Sequence, residues 1–284
     1  MKVAIAGYTG LIGTHLISHL EKKGFTIVKI DHEKDRLILN ASCEDVDAVI
    51  NLSGINILHR WNESFKGHAL SSRAGTSHQI NHFYDLKSKK PKVFISASAI
   101  GYYGDRPGET LIETSSKGLG FLADLTEKWE KSTFDSPIHR VVAFRLGVVL
   151  SSDGGMLPRL AKLVKYRLGC ICGDPNAYLA WIHIDDVVKA FTTALERSSY
   201  CGVYNLVSEN PSTQKEFMDT LANTLMRKIY LRMPKFLVKI LLGEAASVIL
   251  NDTHVYPKNL KLSGYDFLYP DLDAAFFSLV KRGL

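Results

Sequence analysis

A short apolar run, Lys2-Val-Ala-Ile-Ala6, passes directly into Gly7-Tyr-Thr-Gly-Leu-Ile-Gly13, and this opening constrains the fold of the chain more than any other feature. Leu11, Ile12, His15, Leu16, Ile17 and Leu20 then recur at helical spacing until Gly24 stops the pattern. The order predicted is strand, glycine turn, helix. Gly7 permits the tight turn, Gly10 lets the backbone approach a pyrophosphate with no Cβ in the way, and Gly13 lets the helix pack close to the strand. The N–H groups freed at the helix start then face the phosphates. A glycine triplet alone is weak, but here it stands in the strand-to-helix context that a dinucleotide site requires.

The next apolar strand, Thr26–Ile30, ends at Asp31, 18 residues after Gly13. A carboxylate there accepts hydrogen bonds from an adenosine 2′-hydroxyl and repels a 2′-phosphate, which argues for NAD. His32, Lys34 and Arg36 argue for NADP, so the segment alone leaves the choice open. Asp31 is also a residue type that caps turns.

Strand and helix patterns alternate from there. Val46–Gly54 is apolar and closes in Leu52, Ser53 and Gly54, as a buried parallel strand ending over a nucleotide should. A helical stretch over Glu63–Leu86 follows, then a strand over Lys92–Ser98, a helix from Leu119 to Lys131 and a strand over Val141–Leu146. Ala180–Ile184 reads as a strand, Asp185 as the cap of a helix through Leu195, and Val203–Val207 as the last strand. Such alternation specifies an α/β fold, a doubly wound parallel Rossmann sheet with a smaller, mainly helical carboxyl-terminal substrate lobe. Residues 1–150, completed by 178–208, are expected to form the dinucleotide-binding domain, and 151–177 with 209–284 the lobe over the sheet's carboxyl edge.

With 284 residues and 46% hydrophobic content, the chain can bury one large core or one domain with a second lobe, and no repeat or low-complexity linker interrupts it. The apolar stretch Phe236–Leu250 is broken by Lys239 and Glu244, is too short to cross a bilayer and reads as a packed helix. A strand beginning at Lys2 leaves no room for a signal peptide, so a cytoplasmic, membrane-free protein is expected. Cys43, Cys170, Cys172 and Cys201 form neither a disulfide framework nor a zinc pattern and are expected as free thiols with no metal. The net charge of +6 favours anionic ligands, but the cations are spread along the chain with no nucleic-acid-binding element. Oligomeric state leaves no mark in the sequence.

Together these residues resemble the extended or atypical short-chain dehydrogenase/reductases, in the sugar-nucleotide-epimerase-like group of the NAD(P)-dependent epimerase/dehydratase superfamily. The resemblance runs the whole chain: the glycine loop, Asp47–Gly54, Arg60-Trp61, Ser72-Arg73, Pro91–Gly104, Trp129-Glu130, Arg145–Leu150, Trp181–Asp186, Leu242-Gly-Glu244 and Tyr269–Leu272. It implies NADP(H) as cofactor, with NAD also accommodated because of Asp31, and a substrate such as a sugar nucleotide between the two lobes. Carried over by position, cofactor contacts fall on Gly7, Thr9, Gly10, Leu11, Ile12, Gly13, Asp31, His32, Leu52, Ser53, Gly54, Arg73, Ser96 and Val149. Many relatives have Ser-Arg where this chain has Asp31-His32.

The superfamily's proton-transfer pair is a Tyr with a Lys four residues later. None of the 12 tyrosines has that lysine, and the helix expected to carry the pair reads Phe121-Leu-Ala-Asp-Leu125. What remains near the nicotinamide position is Ser98, matching the superfamily's substrate-hydroxyl serine, with Tyr102 and Tyr103 on the adjoining loop as candidate proton shuttles. Arg145 is a candidate for a substrate phosphate or a local carboxylate. Asp185 and Asp186 read as helix-start carboxylates, and His183 as a satisfied core histidine. Two functions follow: hydride transfer on a hydroxylated small molecule, as an oxidoreductase or epimerase, or silent NADP(H) binding as a sensor or scaffold.

Overall fold

The opening apolar run forms strand β1 (Lys2–Ala6), and the glycine turn delivers the chain into helix α1 (Leu11–Lys22). The structure, a computed structural model, describes every residue except 34, 35 and 230. The chain continues through β2 (Thr26–Glu33), β3 (Arg36–Ile38), β4 (Ala48–Asn51), α2 (Glu63–Leu70), α3 (Thr76–Asp85), β5 (Val93–Ala99), β6 (Thr110–Leu111), α4 (Phe121–Phe134), β7 (Val141–Leu146) and β8 (Val148–Leu150). Next come α5 (Leu157–Lys165), β9 (Cys170–Cys172), β10 (Tyr178–Leu179), β11 (Trp181–His183), α6 (Ile184–Glu196), β12 (Gly202–Leu206), β13 (Ser212–Thr213) and α7 (Gln214–Thr224). The last stretch holds β14 (Leu231–Met233), α8 (Lys235–Leu242), α9 (Ser247–Leu250), β15 (His254–Val255), α10 (Lys258–Leu262) and α11 (Leu272–Lys281).

Among the described residues the main sheet orders as β12-β7-β5-β4-β1-β2-β3, parallel except for the final β2–β3 pair. At its centre β1 and β4 read as apolar runs because both faces are buried, whereas β2 exposes Lys29, Asp31, His32 and Glu33. In β1, Val3 and Ile5 join one core with Leu16, Leu20 and Phe191, while Ala4 and Ala6 join another with Ile80 and Tyr84. A third core, built from Leu157, Val164, Phe217, Leu221, Phe276 and Leu279, packs α5, α7 and α11 together. The α/β sheet with added helices is the expected architecture.

Several local expectations are corrected. Asp31 does not end its strand or cap a turn: β2 runs on to Glu33 and pairs antiparallel with β3, Asp31 opposite Ile38. The helical stretch before β5 is two helices joined by a π turn at Ser71–Gly75, a local widening of the kind found at functional sites. The cap of α6 is His183, whose Nδ1 accepts the Asp185 N–H at 3.1 Å. The two acids behind it stand in the first turn of α6, as expected of helix-start carboxylates, but their side chains bind the carboxyl-terminal segment. Asp185 pairs with Arg282, and Asp186 accepts the N–H groups of Leu268 and Tyr269 at 2.7 and 3.0 Å. Burial outweighs those two bonds and raises the Asp186 carboxyl to about 6. His183 is buried as expected, but its Nε2 has no hydrogen-bond partner. The Phe236–Leu250 stretch is not packed throughout, since Phe236, Ile240 and Leu241 of α8 stay more than 60% exposed. Among the described residues, no helix is long and apolar enough to cross a membrane.

Candidate functional site

The carboxyl ends of β1, β4, β5 and β7 line up along one edge of the sheet, and the glycine loop forms its first station. Gly7 has φ +76°, and a Cβ there would stand 2.5 Å from the Leu52 carbonyl carbon. A Cβ on Gly13 would stand 2.5 Å from the Gly7 oxygen, so that glycine is fixed by helix–strand approach. Gly10 differs: its Cβ would meet only the Gly7 oxygen, at 3.3 Å. Gly10 caps α1 with no side-chain hydrogen bond, and no acid occupies the first turn. The positive end of the helix beside Thr9, Leu11 and Ile12 is therefore left for an exogenous anion.

At the end of β2, the Tyr8 hydroxyl donates to Asp31, a contact that raises the tyrosine's pKa. His32 Nε2 lies 3.1 Å from Ser53 Oγ. Partial desolvation, opposed by Asp31, holds the imidazole below its usual range. Arg36 is exposed on β3, and Lys34 lies outside the described residues.

Arg73 rises from the π turn. Its guanidinium lies flat against Gly54, where a Cβ would come within 3.0 Å of Cζ, and 5.5 Å from the Trp129 ring centroid. It donates to the backbone oxygens of Ile55 at 2.8 Å and Ala69 at 3.3 Å and forms no ion pair among the described residues. Burial lowers its pKa to about 10. A largely buried cation without a counter-ion, beside an uncapped helix start, fits an anionic dinucleotide.

A cavity of about 350 Å³ continues along the edge, bordered by Leu52, Ser53 and Gly54 of the β4 end, by Ser98 and by Val149. Helix α4 turns Leu122, Leu125 and Thr126 toward it, so the expected Tyr–Lys positions are apolar in the structure too. Ser98 belongs both to this lining and to a polar row behind it: Ser98, Arg145 and Asn205 stand in register on β5, β7 and β12. Ser98 Oγ donates to Glu130 Oε1 at 2.6 Å, and Arg145 grips the same carboxylate with Nε and Nη2, both at 2.7 Å. Burial by itself would lower Arg145, but Glu130 outweighs it and holds the guanidinium above its ordinary value.

Of the two partners expected for Arg145 the structure shows the local carboxylate, and three other expectations are corrected. Arg145 cannot reach a substrate phosphate, because its fork is closed on Glu130 and Tyr103. Tyr103 is fully buried outside the cavity, bonded to Asn205 Oδ1 at 2.7 Å and Ile112 O at 3.0 Å, and burial pushes its hydroxyl up to about 12. Tyr102 lays its ring 3.6 Å from the Arg145 guanidinium and does not border the cavity. Ser96, two residues before Ser98, is buried inside the strand and donates to the Ala97 oxygen. Glu130 and Asn205 were missed as functional residues. Their sequence signal was a polar residue near the end of an otherwise apolar strand or helix face. All four cysteines are free thiols, and no cluster of three metal ligands occurs among the described residues.

Residues 3–119 match the NAD dependent epimerase/dehydratase family, and residues 233–279 match a domain of unknown function, DUF1731. The chain is 30% identical to epimerase family protein YfhF of Bacillus subtilis, over 99% of this chain and 98% of that one. It is 32% identical to epimerase family protein ML0860 of Mycobacterium leprae, over 93% and 91%. The chain belongs to the NAD-dependent epimerase/dehydratase family. Among solved structures, the human epimerase family protein SDR39U1 with NADPH is similar over 99% of this chain and all of that one, with a TM-score of 0.92 at 28% identity. The UDP-glucuronic acid 4-epimerase of Bacillus cereus, bound to UDP-glucuronic acid and NAD, shares the fold at a TM-score of 0.77 and 18% identity, over 99% of each chain.

Proposed function

We propose that this epimerase-family chain binds NADP(H), with NAD as a weaker second ligand, and acts as an oxidoreductase or epimerase on a hydroxylated small molecule held between the sheet edge and the lobe of residues 151–177 and 209–284. The uncapped start of α1 beside the unpaired Arg73 carries this reading. The backbone at Thr9, Gly10, Leu11, Ile12 and Gly13 would take the pyrophosphate, Asp31 and His32 the adenosine ribose, and Arg73 a phosphate. Leu52, Ser53, Gly54 and Val149 would border the nicotinamide half. When bound, the dinucleotide supplies the hydride acceptor or donor.

Ser98 is the proposed catalytic residue. Its own proton is committed to Glu130, so Oγ presents lone pairs to a substrate hydroxyl. As the substrate alcohol becomes a carbonyl, its proton passes to Ser98 Oγ while the serine proton moves to Glu130 Oε1. Glu130 is the final proton acceptor of this relay, acting through Ser98 and held in place by Arg145. A sugar nucleotide, as in the UDP-glucuronic acid 4-epimerase structure, is one hydroxylated candidate. The apolar face of α4 favours a second reading, silent dinucleotide binding.

Absorbance near 340 nm, with NADPH and a panel of hydroxyketones and aliphatic ketones, separates the two. Turnover is expected, and Ser98→Ala should lower kcat roughly 10²-fold without changing NADPH affinity. Tight NADPH binding with no turnover across the panel would establish the silent reading.

A further inference from the structure

Resting on the hydride-transfer reading above, we propose that the non-reacting part of the substrate is a hydrocarbon, aliphatic or aromatic, housed in the carboxyl-terminal lobe, and not a nucleoside diphosphate. A second cavity of about 460 Å³ adjoins the one at Ser98. Ile12, Arg73, Val149 and Leu179 border both, so the two adjoin, with Ser98 and the other hydroxyl side chains bordering the first alone. The far walls are Met156 and Leu160 near α5, Phe217 and Met218 of α7, and Ile249 of α9. Among the described residues, no Lys, His, Asp, Glu, Ser, Thr or Tyr borders this second cavity.

The polar side chains that do border it are largely committed elsewhere. Asn56 Oδ1 accepts the Leu58 N–H at 2.9 Å, and Gln214 Nε2 donates to the Ile249 oxygen at 3.0 Å. Arg73 is the one cation bordering either cavity among the described residues, and the reading above already assigns it to a dinucleotide phosphate. A diphosphate in the lobe would give up its hydration with no second cation and few free donors, which is strongly unfavourable. A hydrocarbon loses nothing there. Each buried methylene multiplies affinity roughly fourfold, the equivalent of ~0.8 kcal/mol.

The walls also contain their own reporter. Cys170 and Cys172 alternate on one face of β9 with their sulfurs 3.7 Å apart, and both border the lobe cavity. The contact with Cys172 holds the Cys170 thiol below its usual range, and the thiolate is the form that alkylating agents attack.

Titration calorimetry with butanol, hexanol, octanol, decanol and UDP-glucose, each with and without NADP, tests the proposal. Affinity should climb roughly threefold to fourfold per methylene until the cavity is filled, and UDP-glucose should give no saturable heat. Leu160→Lys should weaken decanol at least tenfold and leave NADPH binding intact. In the unaltered chain, decanol should slow alkylation of Cys170. Affinity independent of chain length, saturable UDP-glucose binding, or Cys170 alkylation indifferent to decanol would each overturn the proposal. Should NADPH fail to bind while the alcohol series behaves as described, the cofactor reading falls and the apolar lobe stands.

Discussion

Two carboxylates stand at opposite ends of the same sheet edge, and they are held in contrasting ways. Asp31 is exposed on β2, next to the edge strand β3, with one tyrosine hydroxyl as its partner. Glu130 is 7% exposed, gripped by both arms of Arg145 and by Ser98. The first can change with little structural consequence, and so tunes ligand choice. The second is locked into the fold, so its geometry is preorganised and its loss is structural as well as functional.

The largest expected effect follows from that lock. Glu130→Ala leaves a buried, uncompensated guanidinium and should cost about 3–5 kcal/mol of stability, whereas Asp31→Ala should stay within about 0.5 kcal/mol. Denaturant unfolding of the two variants gives both numbers. Equal losses would dissolve the contrast between the two ends.

The same contrast explains what the sequence made legible. The Asp31 end is built from neighbours in the chain: strand, three glycines and helix lie within 22 residues, so spacing alone revealed the turn, the helix start and the close packing at Gly13. The Glu130 end is built by register. Ser98, Arg145 and Asn205 come together only because β5, β7 and β12 align in parallel, and periodicity within one segment does not fix register between segments. Hence periodicity left Arg145 open between a substrate phosphate and a local carboxylate and offered Tyr103 as a shuttle, although both are tied into the row. Asp186 failed similarly, because its partners lie more than 80 residues away.

A smaller effect sharpens the contrast from the exposed side. Asp31→Ser combined with His32→Arg removes a negative charge and adds a fork suited to a 2′-phosphate. The ratio of NAD to NADP dissociation constants should shift toward NADP about tenfold, or ~1.4 kcal/mol, with unfolding hardly changed. Because the site is exposed, the shift should shrink as salt rises. A ratio that stays put, or moves toward NAD, would show that the end of β2 does not read the ribose.

The central claim, that a dinucleotide lies over the glycine loop, is tested most directly at Gly10. It is the loop glycine whose Cβ would meet only the Gly7 oxygen, at 3.3 Å, whereas Gly7 and Gly13 are held by contacts of 2.5 Å. A valine at position 10 therefore fills ligand space with little disturbance of the fold. NADPH should be titrated calorimetrically into the unaltered chain and into Gly10→Val, with circular dichroism confirming the fold of each. Expected are saturable binding to the first and none to the second, with matching spectra. Equal affinity for NADPH in two folded proteins would contradict the claim.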